Sequence, residues 1–303
     1  MHTIISGGTG FIGSRLVDHM RSSGHDITVL TRSPQRVPEG VHAVEWHPES
    51  GDLDPRALSA VDAVVHLAGA GIADARWSRG RRAAILNSRV DGTRLLISVL
   101  KKAGVRPAAF LSASAVGYYG DAGEQLCDED APAGEGFAAD VCRAWEAEAC
   151  AAAEIADRVV LLRFGTVLDP SGGALSRMLP LFRFGLGGRL GSGKQWMSCI
   201  SREDAVAAIA ESLENQTLRG PVNVVAPEPL RNIEFTRALA SGLGKRVGPP
   251  APGLALRIVF GQMAGELLLG SSRVEPEALR AAGFRFRHPD IAAYLERHQG
   301  RGQ

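Results

Sequence analysis

The sequence is short of the groups on which several kinds of protein depend. Its four cysteines, Cys127, Cys142, Cys150 and Cys199, form no C-x-x-C pair, which argues against a zinc site or a redox pair. Reduced thiols of this kind indicate a cytoplasmic protein without a metal. The 34 basic residues are balanced by 33 acidic ones, so the net charge of +1 creates no field that favours nucleic acid or a membrane.

Long uninterrupted apolar runs are also missing. The N-terminal stretch MHTIISGG has neither a basic segment nor a long apolar segment, so we expect no secretory signal. Residues 254–270 are interrupted by Arg257, Gln262 and Glu266, and they predict a buried or amphipathic helix rather than a membrane span. We therefore expect a cytoplasmic protein whose partners include neither nucleic acid nor a membrane. The sequence leaves the oligomeric state open, a homo-oligomer included.

The chain has enough apolar sequence for a large core, with 303 residues of which 45% are hydrophobic. Apolar, β-branched runs alternate with helix-like stretches, and this alternation predicts βαβ crossovers. The predicted strands are 2–6, 26–31, 41–46, 62–68, 108–114, 158–164 and 221–226, and the predicted helices are 11–23, 83–103, 137–155, 203–215 and 231–243. We predict an α/β fold, a Rossmann-type doubly wound parallel sheet with a smaller mixed C-terminal lobe.

The regular alternation ends after residue 168, which suggests a second lobe. Residues 169–175 and 184–194 are glycine-rich, and 244–253 contain three prolines and three glycines. We expect the strand at 221–226 to return to the main sheet. The predicted domains are a nucleotide-binding domain of 1–168 plus 199–228, and a small substrate-side lobe of 169–198 plus 229–303.

A glycine-rich motif, GGTGFIG at residues 7–13, joins the first predicted strand to the first predicted helix. Its glycines fit G-x-G-x-x-G, a spacing that permits a tight turn, the approach of a pyrophosphate and close packing of helix on strand. The helix N-terminus adds backbone N–H groups and a partial positive charge. A tight turn without a ligand is the alternative. The motif predicts a dinucleotide site made by Gly7, Thr9, Gly10, Phe11, Ile12 and Gly13.

The second predicted strand ends in Thr31-Arg32, and Arg36 follows nearby. NAD-selective sites carry an acidic residue at this point, whereas this sequence has none. A guanidinium group suits the 2′-phosphate of NADP through charge-assisted hydrogen bonds. We therefore predict that Thr31, Arg32 and Arg36 bind the cofactor and select NADP(H). The alternative is that Arg32 stacks on the adenine or faces solvent.

Four motifs resemble the extended short-chain dehydrogenases and reductases. They are GGTGFIG (7–13), HLAGA (66–70), SRVDGTRLLISVLKKAGV (88–105) and SASAVGYYG (112–120). Further motifs are similar to an atypical branch labelled "epimerase family protein", which has a C-terminal domain of unknown function, here at residues 249–297. These motifs are VCRAWEAEA (141–149), LRFGTVLDPSGGAL (162–175) and GPVNVVAPEPLRNIEFTRAL (220–239). The chain departs from the branch at SCISRED (198–204), where Trp-Ile-His and an acidic pair are more usual.

The resemblance implies positions for further cofactor contacts. Leu67, Ala68 and Gly69 should line the adenine–ribose side, and Phe164 to Val167 should lie near the nicotinamide. Arg89 stands at the position of the usual Asn, and we assign it to the cofactor as well. A solvated basic helix face is the alternative interpretation of Arg89 and its neighbours.

The usual proton donor of the superfamily is missing. Active members use a Ser and a Tyr-x-x-x-Lys pair, in which the Tyr hydroxyl moves the proton and the Lys favours the phenolate. This chain has four lysines and three tyrosines but no such pair. Anchoring the matching helix on Glu146 places Ala138 and Cys142 in the two slots, and a shift by one residue places Phe137 and Val141 there. Neither register supplies an acid, and Cys142 is expected in the core.

Only the serine is retained, as Ser114. We predict Ser114, Tyr118 and Tyr119 as catalytic residues, with Glu203 or Asp204 as further proton donors. Tyrosines that fill space and carboxylates that cap the next helix are the alternatives. The sequence thus predicts an NADP(H)-dependent oxidoreductase or epimerase-like enzyme whose small-molecule substrate it does not identify. A non-catalytic NADPH-binding regulatory or interaction protein is the second hypothesis.

Overall fold

The computed structural model describes residues 1–51, 53–58 and 60–298, apart from the side chain of His298. The strands in chain order are β1 (His2–Ser6), β2 (Asp26–Thr31), β3 (His42–Glu45), β4 (Ala63–His66), β5 (Ala109–Ala115), β6 (Leu126–Cys127), β7 (Val159–Phe164), β8 (Thr166–Asp169), β9 (Trp196–Met197), β10 (Cys199–Ser201), β11 (Gly220–Val224), β12 (Leu230–Arg231) and β13 (Arg273–Val274). The helices are α1 (Phe11–Ser22), α2 (Arg79–Lys102), α3 (Phe137–Cys150), α4 (Gly173–Arg183), α5 (Arg202–Glu214), α6 (Asn232–Gly242), α7 (Gly253–Phe260), α8 (Glu277–Ala281) and α9 (Ile291–His298).

Seven strands form one sheet in the order β11-β7-β5-β4-β1-β2-β3. Strand β1 runs parallel to β2 and to β4, and β4 runs parallel to β5. The strand order reverses between β1 and β4, which is the point of a doubly wound sheet where ligands approach the carboxyl ends of the strands. The predicted Rossmann-type fold is confirmed, including the return of the last strand to the edge of the sheet beside β7.

The sheet strands are apolar because both of their faces are covered. Ile4, Val64 and Phe110 are fully buried, and they pack in one cluster with Leu96 and Leu100 of α2. Burying each such side chain stabilises the fold by about 1.5–3 kcal/mol. This cluster holds β1, β4 and β5 in register, and it thereby fixes where their carboxyl ends lie.

The chain divides into two compact units. The N-terminal unit comprises Met1–Ser114, Val141–Arg163 and Val206–Val222, and the C-terminal unit comprises Ala115–Asp140, Phe164–Ala205 and Asn223–Gln303. The C-terminal unit has its own apolar core, in which Leu239 of α6 and Leu295 of α9 are fully buried. Each unit is described separately below.

Local chemistry explains where the elements depart from the sequence-based boundaries. Helix α2 begins at Arg79, four residues before the predicted start, because the side chain of Ser78 accepts a hydrogen bond from the backbone of Arg81 at 3.1 Å. The expected helix at 254–270 is broken after α7 by Gly261, whose φ is 63°. No residue of α7 is buried, so a single buried or amphipathic helix there is wrong. Among the described residues, no helix is long and apolar enough to cross a bilayer.

Candidate functional site

The glycine loop between β1 and α1 is a tight turn that only glycine can make. Gly7 has a φ of 72°, and a Cβ on it would lie 2.9 Å from the backbone nitrogen of Ala68. A Cβ on Gly13 would lie 2.2 Å from the carbonyl oxygen of Gly7. These two glycines therefore bring the first turn of α1 and the end of β4 against the loop backbone, as close helix–strand packing requires.

Helix α1 begins in a way that suits an anion. Its N-cap is Gly10, which has no side chain to cap the helix, and its first turn contains no acidic residue. The loop is closed by a hydrogen bond from the Gly10 nitrogen to the Gly7 oxygen at 2.9 Å. Phe11 and Ile12 are half-buried at this helix end. The positive end of the helix dipole thus lies at the loop, without a carboxylate of the first turn to compensate it.

The tip of β2 adjoins the loop. The hydroxyl oxygens of Thr9 and Thr31 are 3.4 Å apart, and the Thr31 hydroxyl accepts a hydrogen bond from the backbone of Ser33 at 3.1 Å. Arg32 and Arg36 follow directly and are exposed. Neither guanidinium group has a hydrogen bond or an ion pair with any residue that the structure describes. Two uncompensated cations therefore lie at the strand end where the sequence predicts cofactor selection.

The HLAGA segment continues from β4 toward the same edge of the sheet. The backbone nitrogens of Leu67 and Ala68 donate to the carbonyl and the hydroxyl oxygen of Ser6, at 3.1 and 3.3 Å. Gly69 is exposed, and a Cβ on it would lie 3.3 Å from the guanidinium carbon of Arg89. The half-buried Ala68 and the exposed Gly69 present little side chain here, and the place of this segment beside an adenosine stays a prediction.

Arg89 projects from α2 toward this segment. Its guanidinium group donates to the carbonyl oxygens of Ala70 and Ile85 at 2.9 and 3.0 Å and lies 4.9 Å above the ring of Trp145. Burial lowers the pKa of Arg89 from its usual value. Arg89 is therefore a partly buried cation bound by carbonyl oxygens and an aromatic ring, not a freely solvated one.

His66, at the end of β4, is a polar group that the sequence analysis missed. It is fully buried, and its Nδ1 lies 2.6 Å from the hydroxyl oxygen of Ser6. Its Nε2 has no hydrogen-bond partner among the described residues. Burial, helped by the charge of Arg89, lowers the pKa of His66 to about 4, so the imidazole is neutral near pH 7. A histidine that ends an apolar strand is the signal that could have identified it.

Ser114 belongs to a buried charged network of the N-terminal unit. Its hydroxyl donates to Oε1 of Glu146 at 2.6 Å, and Arg163 donates to both carboxylate oxygens of Glu146 at 2.9 Å. The side chains of Arg163 and Glu146 are only 4% and 9% exposed. The sequence analysis used Glu146 as an anchor but did not identify this network. A single charge within the apolar strand VVLLRF (159–164) is a signal that predicts a buried partner.

Helix α3, with the sequence FAADVCRAWEAEAC, contains neither a Tyr nor a Lys residue. Ala138 and Cys142 of α3 are both buried, at 6% and 5% exposure. Cys142 lies in the core, as expected.

In the C-terminal unit the two tyrosines differ in their contacts. The Tyr119 hydroxyl is buried and donates to Oδ1 of Asn223 at 2.7 Å. Asn223 in turn donates to the carbonyl oxygen of Glu275. Tyr118 is half-buried and packs edge-on against the Tyr119 ring, with centroids 5.4 Å apart. Tyr119 is thus bound into the structure of its unit, and this arrangement favours Tyr118 as the more accessible phenol.

The carboxylates at the start of α5 contact their own unit. Asp204 is 1% exposed and accepts hydrogen bonds from the hydroxyl of Ser201 and from the backbone nitrogens of Arg287 and His288, at 2.7–2.9 Å. Glu203 contacts the His288 ring at 3.1 Å. These contacts favour a structural role for both acids.

Phe164 and Val167 also belong to the C-terminal unit. Phe164 is buried, and Val167 is half-buried where β8 pairs with β10. Their place beside a nicotinamide stays a prediction.

An exposed cluster surrounds Trp196 of β9. The guanidinium groups of Arg231 and Arg273 lie 4.1 and 4.7 Å from its ring, and its indole nitrogen donates to Glu124 at 2.9 Å. The Arg231 guanidinium and the Trp196 indole hold the pKa of Glu124 down at about 2. The cluster therefore keeps its carboxylate ionised, and it contains two guanidinium groups for one carboxylate.

Known proteins resemble the chain over nearly its full length. The epimerase family protein Mb2239 of Mycobacterium bovis is 43% identical over 291 residues, which cover 96% of this chain and 95% of that protein. A crystal structure of human epimerase family protein SDR39U1 with NADPH has 32% identity and a TM-score of 0.86, and 98% of each chain is covered. The crystal structure of a nucleoside-diphosphate sugar epimerase from Corynebacterium glutamicum has 30% identity and a TM-score of 0.81. The alignment covers 100% of this chain and 59% of the epimerase chain.

Family models match both parts of the sequence. The domain of unknown function DUF1731 matches residues 251–297, which confirms the C-terminal domain that the resemblance implied. The model described as NAD dependent epimerase/dehydratase family matches residues 3–225. The chain therefore belongs to the NAD dependent epimerase/dehydratase family, within the group of epimerase family proteins related to SDR39U1.

Proposed function

We propose that the N-terminal unit binds NADP(H) and that the protein is an atypical reductase or epimerase-like oxidoreductase. The observation that carries the proposal is the pair of exposed, uncompensated guanidinium groups, Arg32 and Arg36, at the tip of β2 beside the glycine loop. A 2′-phosphate is the part of NADP that such groups recognise. The NADPH in the crystal structure of the human relative supports the same cofactor for this chain.

The loop residues fit the diphosphate of a dinucleotide. Gly10, the N-cap of α1, has no side chain, so an anion can approach the main chain closely there. The first turn of α1 would hold the diphosphate, and Leu67, Ala68 and Gly69 would flank the adenosine. When bound, the nicotinamide would supply or accept a hydride. The protein itself must then hold the substrate and move a proton.

Two side chains are candidates for the proton step. The Ser114 hydroxyl donates its hydrogen bond to Glu146, which leaves its oxygen able to accept a hydrogen bond from a substrate hydroxyl. Tyr118 is the better candidate for the acid, because it is half-buried whereas Tyr119 is only 3% exposed. A substrate that interconverts between alcohol and ketone fits this chemistry.

A second candidate is a protein that binds NADPH without rapid turnover. The apolar Ala138 and the buried Cys142 in the usual Tyr and Lys slots favour it. NADPH oxidation with a panel of carbonyl compounds and sugar nucleotides decides between the two. Turnover that Tyr118→Phe abolishes would eliminate the binding-only candidate, and an inactive enzyme across the panel would support it.

Titration with NADPH and NADH tests the cofactor proposal. We expect tighter binding of NADPH, and Arg32→Ala should weaken it about ten- to a hundredfold, because a hydrogen bond to a charged group contributes about 1.5–3 kcal/mol. NADH binding should hardly change. Lys102→Ala is a matched control, since this exposed cation ends α2 before the amino edge of β5. Equal affinities for the two nucleotides would refute NADP selectivity.

The location that we propose is the cytoplasm. Among the described residues, Cys127, Cys142, Cys150 and Cys199 form no disulfide. Cysteines without disulfides are typical of reducing compartments, and this supports the proposal.

A further inference from the structure

Seven large apolar side chains of the C-terminal unit are exposed on two neighbouring stretches of chain. Phe184 is 80% exposed and Leu254 is 73% exposed. The other members are Leu181, Leu186, Val247, Ile258 and Val259, with exposures between 41% and 66%. We call these seven side chains the exposed apolar set. Apolar side chains gathered in this way usually mark a surface that meets another apolar phase or a partner.

The two stretches are joined by their backbones. The Gly248 nitrogen donates to the Gly187 oxygen at 2.8 Å, and the Ala251 nitrogen donates to the Arg189 oxygen at 2.9 Å. A Cβ on Gly188 would lie 1.9 Å from the carbonyl oxygen of Pro249, so this approach depends on glycine. The loop after α4 and the segment that leads into α7 are therefore one connected surface.

Helix α7 contributes most of its length to this surface. It has the sequence GLALRIVF and no buried residue. Leu254 and Ile258 lie one turn apart, and side chains at this spacing share a helix face. Removing such a side chain from water stabilises a complex by about 1.5–3 kcal/mol, so α7 gains substantially from an apolar partner.

The charge of the same two stretches is entirely positive. Residues 170–202 contain five Lys or Arg and no Asp or Glu, and residues 235–265 contain four Lys or Arg and no Asp or Glu. Arg183, Lys245, Arg246 and Arg257 are exposed within them. The chain as a whole has nearly equal numbers of acidic and basic residues, so this segregation is a local property that the net charge conceals.

The positive charge of this surface indicates which kind of partner it fits. A symmetric contact between two copies would bring two acid-free, cationic surfaces together, and like charges at an interface oppose association. Anionic lipid headgroups attract basic residues, while the acyl boundary accepts exposed apolar side chains. We propose that this surface docks on an anionic lipid bilayer, with Phe184, Leu254 and Ile258 inserted at the headgroup boundary and Lys245, Arg246 and Arg257 contacting phosphates.

Docking of this kind leaves the protein on the membrane surface. It replaces the expectation, drawn from the net charge, that a membrane is not a partner. It is independent of the cofactor proposal, because none of the residues that would contact the bilayer is among those predicted to bind NADP(H).

Vesicle flotation with the full chain tests the proposal. Phosphatidylcholine vesicles should recover little protein, and vesicles that also contain phosphatidylglycerol should recover most of it. High salt should release it, because salt screens charges at the bilayer surface. Lys245→Gln with Arg246→Gln should lower the partition coefficient about twenty-fivefold, since each basic residue near an anionic surface changes it about fivefold. Lys101→Gln with Lys102→Gln is the matched control.

A second set of variants tests the contribution of the exposed apolar side chains to binding. Phe184→Ser, Leu254→Ser and Ile258→Ser combined should abolish recovery, whereas Leu126→Ser should not. Leu126 is 43% exposed but is flanked by Glu124 and Asp128, so it has the same chemistry in acidic surroundings. Circular dichroism and urea midpoints establish that each variant is folded.

Three outcomes would overturn the proposal. They are equal recovery on both kinds of vesicle, recovery that the triple serine variant leaves unchanged, and self-association in sedimentation velocity that the triple variant removes. The last outcome would make the surface an interface between copies of the chain.

Discussion

The polar groups of the two units differ in whether other residues of the protein bind them. At the carboxyl edge of the sheet in the N-terminal unit, Arg32 and Arg36 have no partner among the described residues, and α1 begins without a capping side chain. In the C-terminal unit, the Tyr119 hydroxyl donates to Asn223, and Asp204 accepts hydrogen bonds from the backbone at 287–288. In this protein, polar groups without a partner among the described residues indicate a binding site more reliably than polar groups singled out by residue type alone.

The comparison also separates two kinds of charge. Arg163 is buried and neutralised by Glu146, so it contributes to structure. Arg32 and the cations around α7 are exposed without such compensation, so they are available to an external anion. A guanidinium group therefore has a structural role in the interior of a strand, whereas at the tip of a strand it is available to bind an external anion.

The largest expected effect is the loss of Glu146. Glu146→Gln leaves the buried Arg163 without a counter-charge and should lower the free energy of unfolding by about 3–5 kcal/mol. Urea denaturation measures it, with Glu154→Gln as the control, because its ion pair with Lys101 is exposed. Glu146→Leu with Arg163→Met should recover much of the loss. A loss below about 1 kcal/mol for Glu146→Gln would show that the pair behaves like a surface ion pair.

The next effect is a pH dependence from His66. Its folded pKa of about 4 lies below its ordinary value, so the unfolded chain binds the proton more readily. The stabilisation is fully present above about pH 6.5 and is lost as the pH falls toward about 4. This loss should reach about 3 kcal/mol. Urea denaturation across this range should show a shallower slope for His66→Gln, and an unchanged slope would contradict the assignment.

The smallest effect distinguishes the two tyrosines. Tyr119→Phe removes one buried hydrogen bond and leaves the Oδ1 atom of Asn223 without this donor, so it should lower the stability by about 1–2 kcal/mol. Tyr118→Phe should cost less, because Tyr118 is half-buried whereas Tyr119 is only 3% exposed. Thermal unfolding of both variants compares them directly. A greater loss for Tyr118→Phe would reverse the structural assignment of the pair.

Much of the N-terminal unit was predictable because its signals are local. The βα turn needs glycine at Gly7 and Gly13, and the apolar strands need burial on both faces, so spacing and composition reveal both. The Ser114–Glu146–Arg163 network was not predictable, because its members lie up to 49 residues apart and meet only when β5, α3 and β7 pack. The exposure of α7 was misjudged for a related reason, since an apolar run does not show whether other elements will cover it.

The sequence by itself determined the doubly wound fold, the glycine turn and the basic tip of the second strand, because these depend on short-range sterics and on residue type. Only the tertiary structure decided which charged groups are compensated, which tyrosine is bound internally and which apolar residues stay in water. Those properties depend on contacts between distant segments, and solvent exposure is a property of the packed molecule rather than of any single stretch of chain.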